Sequence, residues 1–480
     1  MSAAISISSL LSGLDWAILC YFLAVNSFYL VLLTCAAFEM RRHRLRIREE
    51  TSWRMLGSAV APTLSMIAPA YNEGATAVES VRALVTLQYP NLEVVLVNDG
   101  SSDDTLAVLE REFELVPLHP IYRRRIEHED VRGLYRSSIK PSLVVVDKEN
   151  GGKADALNAG LNVATGELVC AIDADTLIEP DALLRMARPF LHGSDVVAAG
   201  GTVRVANGSS VKRGRVGVAR VSRHPLAGVQ VVEYLRAFLF GRLGWNRLGG
   251  NVIISGAFGL FRRDAVIAAG GYLSDTVGED MELVARMRRQ GVERGTSQRV
   301  EFIPDPVAWT EVPESLRVLG RQRDRWQRGL ADVLWRHRDV LLRPRYGTLG
   351  FVAFPYFVLV ELLAPVIEAV GLLGLGAALL LGAVDGSFAL VLFLAAYGFG
   401  VLLTCLAVVF DELSFPRYGQ VRDRLLLVLW AVLESLGYRQ MTVYWRLRGL
   451  VKFLRGRTDW GVMTRTGFAV EEGKPGDTPA

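Results

Sequence analysis

Four short polar stretches in the 480-residue chain hold the residue types that handle a phosphate-bearing donor. They are Pro69-Ala70-Tyr71-Asn72-Glu73, Asn98-Asp99-Gly100-Ser101-Ser102-Asp103, Asn150-Gly151-Gly152-Lys153 and Asp173-Ala174-Asp175. Transfer of a sugar from a nucleoside diphosphate requires the departing pyrophosphate to be neutralised. A hard divalent cation (Mg2+ or Mn2+) held by one or two carboxylates can do this. Asp175 suits the metal-ligand role, with Asp173 supporting it or touching the ribose. Lys153, beside Gly151-Gly152, can supply a second positive contact to phosphate. Asp99 can accept the imide N–H of a uracil ring, and Glu73 is placed with them on the nucleotide-sugar side.

Three later stretches supply the rest of a transfer site. Ser255-Gly256-Ala257-Phe258-Gly259 is assigned to the acceptor side through Ser255, Gly256 and Phe258. Glu279-Asp280 opens a helix and offers a general base for the acceptor hydroxyl, with Asp280 preferred. In Gln322-Arg323-Asp324-Arg325-Trp326, residues Gln322, Arg325 and Trp326 fall at i, i+3 and i+4 and share one helical face. Each stretch alone has a plainer reading: a turn before a helix cap, a solvated glycine loop, a chance Asp-x-Asp, acids favoured at a helix N-terminus, a basic interfacial helix. Their order is what the plainer readings do not supply.

Apolar runs at Leu64–Ala70, Leu92–Val97, Leu143–Val146 and Leu168–Ile172 read as buried strands, and Thr76–Leu87 and Ala154–Asn162 as helices. Strand–helix–strand repetition predicts an α/β domain on a parallel sheet with right-handed crossovers. Ligands of such sheets bind beyond the carboxyl ends of the strands, where the four polar stretches fall. Leu115–Pro141, rich in Arg and His, breaks the rhythm and is expected to be a surface insertion.

Hydrophobic residues make up 51% of the chain, and the excess lies at its two ends. Trp16–Phe38 is long enough to cross a bilayer and is followed by Arg41-Arg42-His43-Arg44, which places that flank in the cytosol. Phe351–Leu381 and Phe388–Phe410 are two more predicted crossings. Glu361 and Glu368 lie inside the first of these, where an unpartnered acid costs on the order of 2–3 kcal/mol, so both are expected to face protein or a polar path. Leu425–Tyr438 is short, contains Glu434 and has basic residues on both flanks, which suits a re-entrant or in-plane helix. The expected organisation is an anchor at 1–48, a cytosolic catalytic domain at 60–345, membrane helices at 348–446 and a basic cytosolic tail at 447–480. Multi-pass insertion in the inner or plasma membrane follows. A net charge of +4 gives no ground for a nucleic-acid partner, and Cys20, Cys35, Cys170 and Cys405 show no disulfide or zinc spacing.

The ordered set Asp99, Asp173-x-Asp175, Glu279-Asp280 and Gln322-x-x-Arg325-Trp326 resembles the membrane-embedded processive branch of the family 2 glycosyltransferases, which includes cellulose, chitin, hyaluronan and poly-N-acetylglucosamine synthases. The resemblance spans Leu64–Trp326 and the membrane layout. It implies a GT-A (Rossmann-like) glycosyltransferase fold plus transmembrane helices, a UDP-sugar donor, inversion at the anomeric carbon and a β-linked product. It also implies that Asp99 binds uridine, Asp173-x-Asp175 holds metal and UDP, the Glu-Asp pair supplies the base, and the Gln-x-x-Arg-Trp helix meets pyrophosphate and acceptor sugar. Two positions depart: Asn98-Asp99 stands where the family often has Asp-Asp, and Gly278-Glu279-Asp280 where it has Thr-Glu-Asp. Three or four membrane segments are few for a private conduit, which points to an oligomer, an export partner, or a lipid-linked acceptor given one sugar. A catalytically inactive scaffold is the remaining alternative, opposed by the intact set of metal, base and phosphate contacts.

Overall fold

The computed structural model describes residues 2–47, 54, 57–58, 61–119, 122–173, 176–212, 214–382 and 386–457. Its strands are Leu64–Ala70 (β1), Leu92–Asp99 (β2), Leu115–Pro117 (β3), Val131–Ser137 (β4), Leu143–Lys148 (β5), Leu168–Ile172 (β6), Leu177–Ile178 (β7), Val196–Val205 (β8), Val211–Lys212 (β9), Arg215–Val216 (β10), Phe258–Arg262 (β11) and Arg299–Thr310 (β12). Ten of them form one sheet in the order β3-β4-β5-β2-β1-β6-β11-β8-β12-β7, and β9 and β10 pair separately.

The sheet centre β5-β2-β1-β6 is parallel, as the strand–helix rhythm requires. Side chains alternate faces along each strand. Leu64, Met66, Ala68 and Ala70 of β1 enter one core, while Ile67 enters the other. Beyond β6 the sheet is mixed, which corrects the all-parallel expectation. β11 runs antiparallel between β6 and β8, and β12 lies parallel to β8. β11 therefore starts at the edge where β6 ends, and Ser255-Gly256-Ala257 is delivered to that edge.

Leu115–Pro141 is also corrected. It is not a surface insertion but an extension of the sheet, with β3 pairing β4 and β4 pairing β5 antiparallel. Its half-buried alternation fits an edge position and masked the strand in sequence.

The helix Ser2–Ile47 contains the first predicted crossing, and Gly13–Ile47 and Gly386–Ser414 are each long and apolar enough to span a membrane. The second predicted crossing is broken: Leu349–Leu362 and Ala364–Leu380 meet at 42°. Pro365 lacks the N–H that would bond the Glu361 carbonyl. Arg446 Nη2 donates to that carbonyl instead, and Gln327 Nε2 donates to Leu362 O at 3.0 Å. Leu425–Tyr438 falls in the helix Val421–Leu433 and a break at Leu436-Gly437, where Gly437 has φ +83°. The helix Arg439–Leu454 then runs through the predicted 446/447 boundary, so the first residues of the expected tail are structural. Residues 458–480 lie outside the described residues.

Candidate active site

The β1 and β2 ends are stitched together before any ligand is considered. Asn72, at φ +56°, receives the Ser102 N–H at its Oδ1 (2.8 Å) and donates its own N–H to Ser101 Oγ (2.9 Å). Glu73 N–H donates to Thr105 Oγ1 at 2.9 Å, and Gly74 N–H to Asp103 Oδ2 at 3.0 Å. Burial opposes ionisation of Asp103, but hydrogen bonds from Thr105 and Gly74 hold its carboxyl below the usual range.

Asp99 closes β2 and organises the glycine turn opposite. Its Oδ1 meets Lys148 Nζ at 2.7 Å and accepts from Gly151 N–H at 3.0 Å. Its Oδ2 accepts from Gly152 N–H at 2.8 Å and Asn150 Nδ2 at 3.3 Å. A carboxylate has about four lone-pair sites, so these contacts engage its whole acceptor capacity. Lys148 is fully buried and also meets Asp155 Oδ1 at 2.5 Å. Sequence reading missed Lys148 and Asp155. The available signal was register, since Lys148 is the β5 partner of Asp99.

Gly152, at φ +87°, turns the chain into the helix Lys153–Val163 and points Lys153 across the strand ends. Lys153 Nζ lies 2.7 Å from Asp173 Oδ1 and 3.4 Å from Glu279 Oε1. Burial alone would lower the ammonium pKa, but these two carboxylates outweigh it and hold the pKa above the usual value. Glu279 is buried, which raises its carboxyl pKa; Lys153 opposes the shift and Asp280 adds to it.

Asp280 Oδ2 accepts from Gly256 N–H at 2.9 Å, and its Oδ1 from Met281 N–H at 2.8 Å. A Cβ at Gly256 would sit 3.3 Å from both Asp280 Oδ2 and Lys153 Nζ. Ser255-Gly256 therefore positions the acids and lysine as well as lining the site. Phe258 is corrected: it is fully buried in the core on β11 and does not reach the acceptor side. Asp175 lies outside the described residues.

The helix Leu316–Arg336 divides its faces. Arg323 meets Glu233 at 2.6 Å and Tyr438 Oη at 3.1 Å, and Asp324 is held by Arg448 at 2.9 Å and Lys452 at 2.6 Å. Gln322, Arg325 and Trp326 line a chamber, with Arg323 beside them. Gly278 and Gly329 approach so closely that a Cβ on either would lie 3.1 Å from the other's Cα. That contact brings Glu279-Asp280 beside the Trp326 helix. The Arg323 guanidinium stacks 4.3 Å over the Trp326 ring, which is 44% exposed.

The chamber has a volume of 1770 Å³. Its lining joins Glu73, Asp99, Lys153, Asp173, Ser255, Gly256, Glu279 and Asp280 around the strand ends to Gln322, Arg325 and Trp326, and to Tyr21, Asn26, Glu361, Glu368, Thr404 and Arg439 of the helical bundle. Glu368 pairs with Arg439 at 2.7 Å, and Glu361 accepts from Tyr356 Oη at 2.9 Å, so both acids of the second apolar block face protein as expected.

Residues 65–269 match the family described as "Glycosyl transferase family 2", and residues 168–403 match "Glycosyl transferase family group 2". The chain carries family 2 glycosyltransferase domains. Its mixed α/β sheet is GT-A-like, as the sequence implied. Similar curated proteins include the poly-β-1,6-N-acetyl-D-glucosamine synthase of Staphylococcus aureus (strain COL), 29% identical over 299 residues, covering 62% of this chain and 60% of that protein. The synthase of the same name from Staphylococcus epidermidis is 29% identical over 274 residues, covering 57% and 56%. The match thus spans about three fifths of these relatives. Among solved structures, the mannosyltransferase PcManGT of Pyrobaculum calidifontis with GDP-Man and Mn2+ aligns with TM-score 0.49 and 21% identity over 88% of this chain and 99% of that one. S. aureus TarS with UDP-GlcNAc aligns with TM-score 0.36 and 14% identity over 79% and 92%.

Proposed function

We propose that this glycosyltransferase extends a β-linked polysaccharide at the cytosolic face of the inner or plasma membrane, taking hexose units from a UDP-sugar. The supporting observation is the continuity of the chamber from the Lys153–Asp173 end, past Trp326, into the apolar helices. A single small-molecule site needs about 300–1,000 Å³, so this chamber has room for donor and acceptor together. The curated relatives' name makes UDP-N-acetylglucosamine the first donor to test.

In this reading Lys153 and Arg325 neutralise the departing pyrophosphate, and Trp326 offers its exposed face to the acceptor sugar. Asp280, held by the Gly256 and Met281 N–H groups, takes the proton of the attacking hydroxyl. Glu279 fixes Lys153 from behind. Asp99 acts through the Gly151-Gly152 turn that it anchors, and this places the uridine.

A divalent cation, Mg2+ or Mn2+, suits the donor set. Among the described residues no three His, Cys, Asp or Glu side chains converge into a complete cage. A cation shared with phosphate needs only one or two protein carboxylates. Asp173 offers one facing the chamber, and Asp175 is the second proposed ligand. The bound ion would supply charge neutralisation to the leaving group.

The test is to incubate purified protein with radiolabelled UDP-glucose, UDP-N-acetylglucosamine and UDP-glucuronate, singly and in pairs. High-molecular-weight product from one of them is expected. A product of one sugar on a lipid would replace polymer extension with single addition. No transfer from any donor would overturn the reading.

A further inference from the structure

Arg242 ends the irregular helical stretch Arg236–Arg242, and its guanidinium lies 4.0 Å over the Phe238 ring, on the chamber wall. Its Nη1 is buried and has no hydrogen-bond partner among the described residues. Burial pushes the Arg242 pKa down to about 10, and Asp280 is the foremost charge opposing that shift. Other desolvated arginines in the protein are served differently. Arg204 meets Asp411 at 2.7 Å and Arg236 meets Glu434 at 2.6 Å. Arg288, also pushed down to about 10, donates to the carbonyls of Asn251 and Gly249. Arg242 alone of these four has no carboxylate or carbonyl partner among the described residues, and it lines the chamber together with Asp280. A desolvated cation with an idle donor is costly, and a ligand that completes it explains its retention.

Other polar groups of the chamber select the ligand. Gln322 Oε1, in the lining of the same chamber, is likewise buried without a partner among the described residues. Arg242 can only donate, whereas Gln322 Oε1 and the Asp280 carboxylate can only accept. An ionised phosphate offers acceptors alone and would leave Gln322 unserved. A sugar offers hydroxyls that donate and oxygens that accept, and so serves all three.

We propose that Arg242 is an acceptor-binding residue, donating to oxygen atoms of the glycan's terminal sugar and holding its attacking hydroxyl against Asp280. The proposal rests on the glycosyl-transfer reading above. In the step, the acceptor oxygen bonds to the anomeric carbon as that carbon's bond to the phosphate oxygen breaks. UDP leaves with the bonding pair, Asp280 receives the hydroxyl proton, and Arg242 stays protonated. Its positive charge also stabilises the negative charge that develops on the attacking oxygen.

The experiment compares Arg242→Gln and Arg242→Lys with wild type, as full chains in lipid nanodiscs. UDP-N-acetylglucosamine is the donor and a β-linked N-acetylglucosamine tetrasaccharide the acceptor. For Arg242→Gln, acceptor kcat/KM should fall roughly 10- to 100-fold, the effect of one charge-assisted hydrogen bond, with acceptor KM raised. UDP binding by calorimetry should be retained, which also shows that the variant is folded. Arg242→Lys should recover part of the loss. Unchanged acceptor kinetics in Arg242→Gln would overturn the proposal, as would an equal loss of UDP binding or a loss confined to a lipid-phosphate acceptor. A wild type that transfers no sugar to any acceptor would instead remove the functional reading itself.

Discussion

The two ends of the chamber are built by opposite strategies. At the strand-end side, groups close in sequence or paired by strand register meet over short ordered loops: Asp99 with Gly151 and Gly152, Lys153 with Asp173. At the bundle end, acids and arginines come from helical segments far apart in the chain: Arg236 with Glu434 and Arg439 with Glu368. The first arrangement depends on backbone turns, so its chemistry can be written as motifs. The second depends on helix packing, and each charge is tolerable only because its partner arrives from elsewhere.

The comparison is broken most directly by separating chemistry from architecture. Asp280→Asn keeps the shape and removes the proposed base, so transfer should fall about 10²–10⁴-fold while UDP binding and membrane insertion persist. Near-normal turnover in radiolabelled-sugar assays would remove Asp280 from the base role. The bundle end should behave in the reverse way. Glu368→Met leaves Arg439 without its carboxylate and should cost about 1–3 kcal/mol of stability, measured by thermal unfolding in detergent, with UDP binding retained. Glu368→Met combined with Arg439→Met should recover most of that loss. A double variant as unstable as the sum of the singles would show that the pair does not act as a unit.

The same contrast explains what the sequence disclosed. β1 and β6 match the predicted runs residue for residue, because buried parallel strands are short, continuous and apolar. The Gln322, Arg325, Trp326 face was equally legible, since helical spacing is a local property, and all three line the chamber. β8 escaped notice although it is buried throughout, because Gly200-Gly201 and Arg204 interrupt its apolar pattern. Arg204 is intelligible only with Asp411, 207 residues away. Phe258 was misplaced for a related reason. Its neighbours Ser255 and Gly256 do reach the site, but β11 begins at Phe258 and turns that ring into the core. The basic residues Arg448 and Lys452 read as a solvated tail until Asp324 is seen between them.

The smallest expected effect tests the local stitching of the β1 and β2 ends. Asp103 is exposed, yet hydrogen bonds from Thr105 and Gly74 hold its carboxyl pKa below the usual Asp value, so it ionises more readily folded than unfolded. A depressed folded pKa contributes stability above the unfolded value, lost as pH falls through the folded one. Asp103→Asn should therefore melt slightly below wild type at about pH 7, and the gap should close as pH falls to about 3, below the ordinary Asp range. Melting curves in detergent across that window check it. A gap that stays constant with pH would mean that Asp103 acts through its shape and neutral hydrogen bonds, and the ends of β1 and β2 would then be joined without help from charge.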